Sequence, residues 1–202
     1  VMACEDSLGP QEICNALSGM QGLESCYPEV GQTLELLTGE LVRCKGTFTA
    51  GGICSALGGL QSMGDEKPVH TLVGLLTERL MDVKGSFRPV DVANAFFGLQ
   101  GMSACTQEVR RMIALLSLTM ESIPLDMTFE GRHIGYCLSG LHSKDSKLPE
   151  VKRAVAALSL RIARSQYGAE PNVRFVQNGR RICVKMGSDV QNGVGFELQE
   201  QK

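Results

Sequence analysis

An all-α fold is predicted by the sequence: a right-handed α-solenoid of four helix-turn-helix repeats, closed by a short C-terminal β-hairpin or meander cap. Three observations predict it. One segment recurs four times with starts 39 to 42 residues apart, an apolar ladder of fixed spacing follows each copy, and the recurrence stops after Ile162. Self-similarity at such a period is the signature of stacked helix pairs.

The recurring segment reads ICNALSGMQGL from Ile13, ICSALGGLQSM from Ile53, VANAFFGLQGM from Val92 and IGYCLSGLHSK from Ile134. Its apolar positions step by four and then three: Ile13, Leu17, Met20; Ile53, Leu57, Leu60; Val92, Phe96, Leu99; Ile134, Leu138, Leu141. That spacing marks one face of a helix, helix A. The following ladder steps by four, three and four: Val30, Leu34, Leu37, Leu41; Val69, Val73, Leu76, Leu80; Val109, Ile113, Leu116, Met120; Val151, Val155, Leu158, Ile162. This is helix B, and Pro28, Pro68 and Pro149 stand where a first helical turn tolerates a missing N–H.

Leu8, Phe48, Phe87 and Phe129 each precede a helix A ladder by five residues and are expected to seal adjacent units. Gly19, Gly59, Gly98 and Gly140 share one position inside helix A, where glycine costs about 1 kcal/mol relative to alanine. Close approach of neighbouring helices is the expected compensation. Cys14 and Cys54 align with Ala93 and Gly135, and Cys137 aligns with Ala16, Ala56 and Ala95, so these thiols are expected to be small buried packing groups. Cys26 and Cys105 fall in the A–B loops and are expected to be exposed.

The units span about 8–47, 48–86, 87–128 and 129–167, within an array over 8–167. Residues 1–7 read as the end of a preceding helix or an N-cap, since Val1 stands where the last ladder residue of an earlier helix B would fall. After the fourth unit, NVRFVQ, Asn178-Gly179 and RRICVKM read as a β-hairpin, with a third short strand near Phe196. Residues 168–202 are therefore expected to be a cap and contact segment, because a stack exposes its core at its last unit.

Hydrophobic residues at 43% and charged residues at 21% exclude a disordered tail. No apolar run of about 18 residues escapes a charge or a glycine, so no membrane span is expected. Peripheral membrane association would come only through partners.

A unit of this length, a helix A of the form I-x-N-A-L-x-G-L-Q and a helix B opening with P-E-V resemble the octotricopeptide-like repeats, degenerate helix-pair repeats of plastid-bearing algae and protists. The resemblance covers roughly residues 8 to 165; the Trp and Pro-rich end of the best-known algal form are missing here. It implies an organellar α-solenoid, plastid rather than mitochondrial, that binds RNA or serves as a subunit of a large assembly such as a photosystem antenna.

Charge helps to arbitrate. Residues 1–100 hold 12 acids and 6 bases, whereas residues 101–202 hold 10 acids and 14 bases, so a phosphate chain would meet a repulsive first half. Candidate contacts to a partner protein or nucleic acid are Arg110, Arg111, Lys152, Arg153, Arg161, Arg164, Arg180 and Arg181. Two polar registers of helix A are further candidates: Asn15, Ser55, Asn94 and Tyr136, and Gln21, Gln61, Gln100 and His142.

Histidines are few and unpaired, and no nucleophile-elbow, phosphate-loop or dinucleotide pattern occurs. The expectation is a non-enzymatic scaffold without cofactor or metal, bound to protein subunits; the alternative is an organellar RNA-binding factor.

Overall fold

The structure is a computed structural model; it describes residues 7–164, with side chains to 163, and the backbone of residues 172–177, 180–186 and 196–201. The expected end of a preceding helix, including Val1, lies outside the described residues. Eight helices carry an all-α body: α1 Pro10–Ser18, α2 Pro28–Arg43, α3 Ala50–Gly58, α4 Lys67–Met81, α5 Pro89–Gly98, α6 Gln107–Ser122, α7 Gly131–Leu141 and α8 Pro149–Arg164. No described helix is long and apolar enough to cross a membrane. Beyond them, extended segments β1 Asn172–Gln177, β2 Arg180–Met186 and β3 Phe196–Gln201 pair antiparallel in the order β1-β2-β3. Asn178 and Gly179 lie outside the described residues.

Local chemistry sets the helix starts. Proline opens α1, α2, α5 and α8 and is second in α4, where its missing N–H has no partner to lose. Thr49 Oγ1 accepts from the Gly52 N–H at 3.1 Å ahead of α3. At α5 the Asp91 carboxylate accepts from the Arg88 N–H at 2.9 Å, and at α7 His133 Nδ1 accepts from the Glu130 N–H at 3.1 Å. Asp91 and His133 stand one before the first ladder residue of helix A, where α3 has Gly52, so in α3 the capping bond runs the other way, from that position's N–H to the side chain at the helix entry.

The odd helices pack in succession, α1 on α3 on α5 on α7, and the even helices likewise, α2 on α4 on α6 on α8. Each ladder faces inward. Ile53, Leu57, Val92, Phe96, Val69, Leu76, Val109 and Leu116 are all 0% exposed, and each such side chain contributes about 1.5–3 kcal/mol of burial free energy.

Helix A is shorter than its periodicity suggests. Met20, Leu60 and Leu99 lie just past α1, α3 and α5, held by tight bonds from their N–H groups to Leu17, Leu57 and Phe96 oxygens at 3.1, 2.9 and 3.0 Å. They remain buried all the same. The recurring glycine therefore sits at the helix end in three units, as cap at Gly19 and Gly59 and as last residue at Gly98, and inside only at Gly140.

Proximity, not backbone conformation, requires that glycine. Gly59 has an ordinary helical φ of −66°, yet a Cβ placed there would lie 2.1 Å from the Leu17 carbonyl oxygen. At Gly98 it would lie 1.9 Å from the Leu57 oxygen, and at Gly140 1.9 Å from the Phe96 oxygen. Leu17, Leu57 and Phe96 share one register, so units two to four each rest their glycine on the same carbonyl of the unit before.

Leu76 lies at the centre of the even layer. Leu76→Asp buries an unpaired carboxylate there and is expected to cost about 3 kcal/mol or more, with loss of a cooperative melt by circular dichroism.

Candidate functional site

The basic residues separate into two groups once folded. Arg161 is only 6% exposed: its guanidinium donates to the Met120, Ile123 and Pro124 carbonyls, closing the C-terminus of α6. It also lies over the Phe129 ring, 5.4 Å from the centroid. The expectation that Arg161 is a surface contact is thus corrected, because the orphan carbonyls of a neighbouring helix end claim it first. Arg79, one unit pair earlier in the same register, does the same for α2, donating to Leu41 and Cys44 oxygens at 2.9 and 3.0 Å with Phe48 beneath it at 5.5 Å.

Lys144 is also buried, 8% exposed, with Nζ donating to the Leu99 and Met102 oxygens at 2.8 and 2.7 Å beyond the end of α5. Burial pushes its pKa down to about 8, against a smaller upward pull from Asp65. Arg153 makes a two-pronged bond with Glu121 of α6, at 2.9 and 2.6 Å. Arg110 is half-buried, and its Nε donates weakly to its own helix at Thr106. Arg111 and Lys152 remain exposed on α6 and α8. The side chains of Arg164, Arg180 and Arg181 lie outside the described residues.

The first polar register forms a row along the odd helices. Asn15 and Tyr136 are exposed and Ser55 and Asn94 half-buried, and Tyr136 stacks on Phe97 of the preceding unit with ring centroids 4.6 Å apart. Periodicity did not single out Phe97; its place five residues after the first ladder residue puts it beside the next unit's Tyr136. In the second register Gln21 and His142 are exposed and Gln61 and Gln100 half-buried, with His142 Nδ1 2.8 Å from the Ser143 hydroxyl.

The A–B loops are stitched together along one edge. Ser25 donates to the Glu66 carboxylate and accepts from the Gly64 N–H, while Asp65 accepts from the Ser103 N–H and lies 3.0 Å from His70 Nε2. His70 is consequently half-buried, not the exposed helix residue that its position suggests.

Comparison with known proteins finds no matching family model, no similar curated protein and no similar solved structure. The site's chemistry therefore rests on the groups themselves.

Those groups are chemically quiet. Among the described residues no cluster of three or more His, Cys, Asp or Glu is arranged to hold a metal ion. Cys14, Cys54 and Cys137 are buried, and burial raises all three thiols, Cys14 to about 11, which keeps them protonated at neutral pH. Cys14 also lines a depression of about 200 Å³ with Glu12, Thr47 and Thr49. Cys26 and Cys105 are exposed, and the Cys26 thiol is raised as well, by desolvation and by its bond to Glu24.

Two outcomes follow. Arg161→Met takes this donor from the buried Met120 and Ile123 carbonyls and is expected to lower unfolding stability by ~2–4 kcal/mol in urea, while Arg111→Ala stays within ~0.5 kcal/mol. His133 is 5% exposed, and its pKa is lowered by burial, with Glu130 pulling it up and Arg132 down. The unfolded chain thus binds the extra proton more readily, so this histidine's stabilisation is full above the ordinary histidine value and is lost as pH falls through the lower folded value. Between pH 7.5 and 5 the wild type is expected to lose more melting temperature than His133→Gln, which keeps a capping acceptor without the titration.

Proposed function

We propose that this chain is a non-enzymatic helical-repeat scaffold, a right-handed α-solenoid that mediates protein–protein contacts as a peripheral subunit of a large organellar assembly. The observation that carries the reading is a set of large apolar side chains left exposed in matched registers of packed helices. Val42 on α2 and Met81 on α4 share one register at 59% and 62% exposure, and Leu118 on α6 and Leu160 on α8 share another at 46% and 62%. Apolar pairs on adjacent helices make contiguous patches of the kind that protein partners cover.

The stretch RMIALLSL from Arg111 to Leu118 parallels RAVAALSL from Arg153 to Leu160, so α6 and α8 present nearly the same outward pattern. At the Leu118 register the first two units instead carry Gly39 and Glu78. Two chemically different ends suit a piece held between two different neighbours. In this reading residues 168–202 cap the last unit, in keeping with β1 lying against α7, where Gly135 is buried. The resemblance to octotricopeptide-like repeats supports a plastid complex, such as a photosystem-antenna assembly.

The RNA-binding alternative is favoured by one observation, the Phe97–Tyr136 stack, exposed at Tyr136, on the row of Asn15, Ser55 and Asn94, since stacked aromatics are platforms for bases. Against it, Arg79, Lys144 and Arg161 spend their charge on main-chain carbonyls, and Arg153 on Glu121. The deciding measurement is the mass of the native particle in a gentle extract, with and without nuclease. A large particle with defined protein neighbours that survives nuclease is expected; collapse on nuclease treatment would put RNA first.

A further inference from the structure

The turn that joins α6 to α7 departs from the repeat. Units one and two reach the next phenylalanine seven residues after their last ladder residue, by way of Lys45-Gly46 and Lys84-Gly85; unit three takes nine and carries Pro124-Leu125-Asp126-Met127 instead. The longer turn is well held. The Met127 N–H donates to the Pro124 oxygen at 3.1 Å, Arg161 donates to that same oxygen at 3.2 Å, and Ile123 and Phe129 are buried on either side. Yet it leaves Leu125 59% and Met127 38% exposed, with exposed Asp126 between them.

Stacking of units does not cover this edge. Unit two has a neighbour on both sides, and Lys84, Gly85 and Ser86 of its corresponding turn are exposed all the same. The occupant is therefore sought outside the stack.

Beside the turn lies the outward stripe of α8. Lys152, Arg153, Ala156, Leu160 and Ala163 are all exposed, and at 3.6 residues per turn they fall within about 100° of the helix circumference. Arg153 marks the side toward α6, through its bond to Glu121, and Lys152 marks the side away from it. Arg161 ties the C-terminal half of α8 to Pro124, so the turn stands next to that half, on the α6 side. Lys152 lies four residues before Ala156 and Arg161 five after it, so cation and turn occupy opposite corners of one surface, with Ala156 and Leu160 between them.

Such a surface is complementary to itself under a half-turn. Rotated about an axis near Ala156, a second copy brings its Lys152 to the corner where Asp126 stands, and the contact occurs twice. Asp126 is the acid available there, because Glu121 and Glu130 already pair with Arg153 and Arg132 while Asp126 has no ion-pair partner among the described residues. Both charges of the pair and the apolar centre are supplied by this one chain.

We propose that the outward stripe of α8 and the 124–127 turn form a homodimer interface, in which a second copy lies antiparallel across α8, packs Leu160 on Ala156 of the other copy, and sets Lys152 against Asp126 of the other copy. This goes beyond the scaffold reading, because it makes the dimer the unit that any larger assembly receives, and it is tested on the purified chain alone.

The test is sedimentation velocity of the purified full chain from about 1 to 100 µM, where a monomer–dimer equilibrium is expected. Asp126→Lys and Lys152→Glu should each weaken the dimer about tenfold or more, since each opposes like charges at both contacts. An equimolar mixture of the two variants should restore it, because both contacts of the mixed dimer again join opposite charges. Each variant should melt like the wild type, as both residues are exposed, and mutual rescue separates lost contact from misfolding. A wild type that stays monomeric over that range, oligomers that keep growing with concentration, a dimer indifferent to either variant, or variants that do not rescue each other would each overturn the proposal.

Discussion

Contact between a glycine and the carbonyl of the previous unit is the constraint on which the packing depends. It brings successive odd helices to backbone contact, a separation at which no side chain fits between them at that point. Once that distance is fixed, the neighbouring positions must be small, which explains why alanine and cysteine recur at the Ala56, Ala95 and Cys137 register. The even helices are joined by larger residues such as Leu72 and Met112, so the two layers are spaced by side chains of different size.

Much of this was legible in the sequence because the repeat supplies four parallel readings of one environment. The ladders, the proline starts, the buried cysteines and the need for close approach at the glycine all follow from position-by-position alignment. Helix ends were less legible. The periodicity of Met20, Leu60 and Leu99 continues past the last α-helical hydrogen bond, since a tight turn can keep a side chain on the same inward face. Alignment also equates Ala16 with the buried Ala56, Ala95 and Cys137, yet Ala16 is exposed, because burial depends on whether a neighbour covers the position.

The candidate site was the least legible part. A cation looks the same in sequence whether it faces solvent or a helix end, and only the fold brings Arg161 to the carbonyls of Met120 and Ile123, or Lys144 to those of Leu99 and Met102. The recurrence of Arg79 and Arg161 at one register, each above a recurring phenylalanine, was nevertheless a readable signal of a structural role. The Phe97–Tyr136 stack was not, since its two partners occupy different registers.

That arginine clamp appears in alternate units. It ties the second unit to the first and the fourth to the third, but at the junction between the second and third its register holds Thr119, whose hydroxyl bonds back to Leu115 of its own helix at 2.9 Å. The middle junction is held instead by the packing of α3 against α5 and α4 against α6, by Gly98 on the Leu57 carbonyl, and by the Ser103 N–H donating to Asp65 at 2.9 Å. One register thus joins its units in two ways, by a cation that closes the neighbouring helix end or by a hydroxyl turned back on its own helix, so the same stack is built without the same bond at every step.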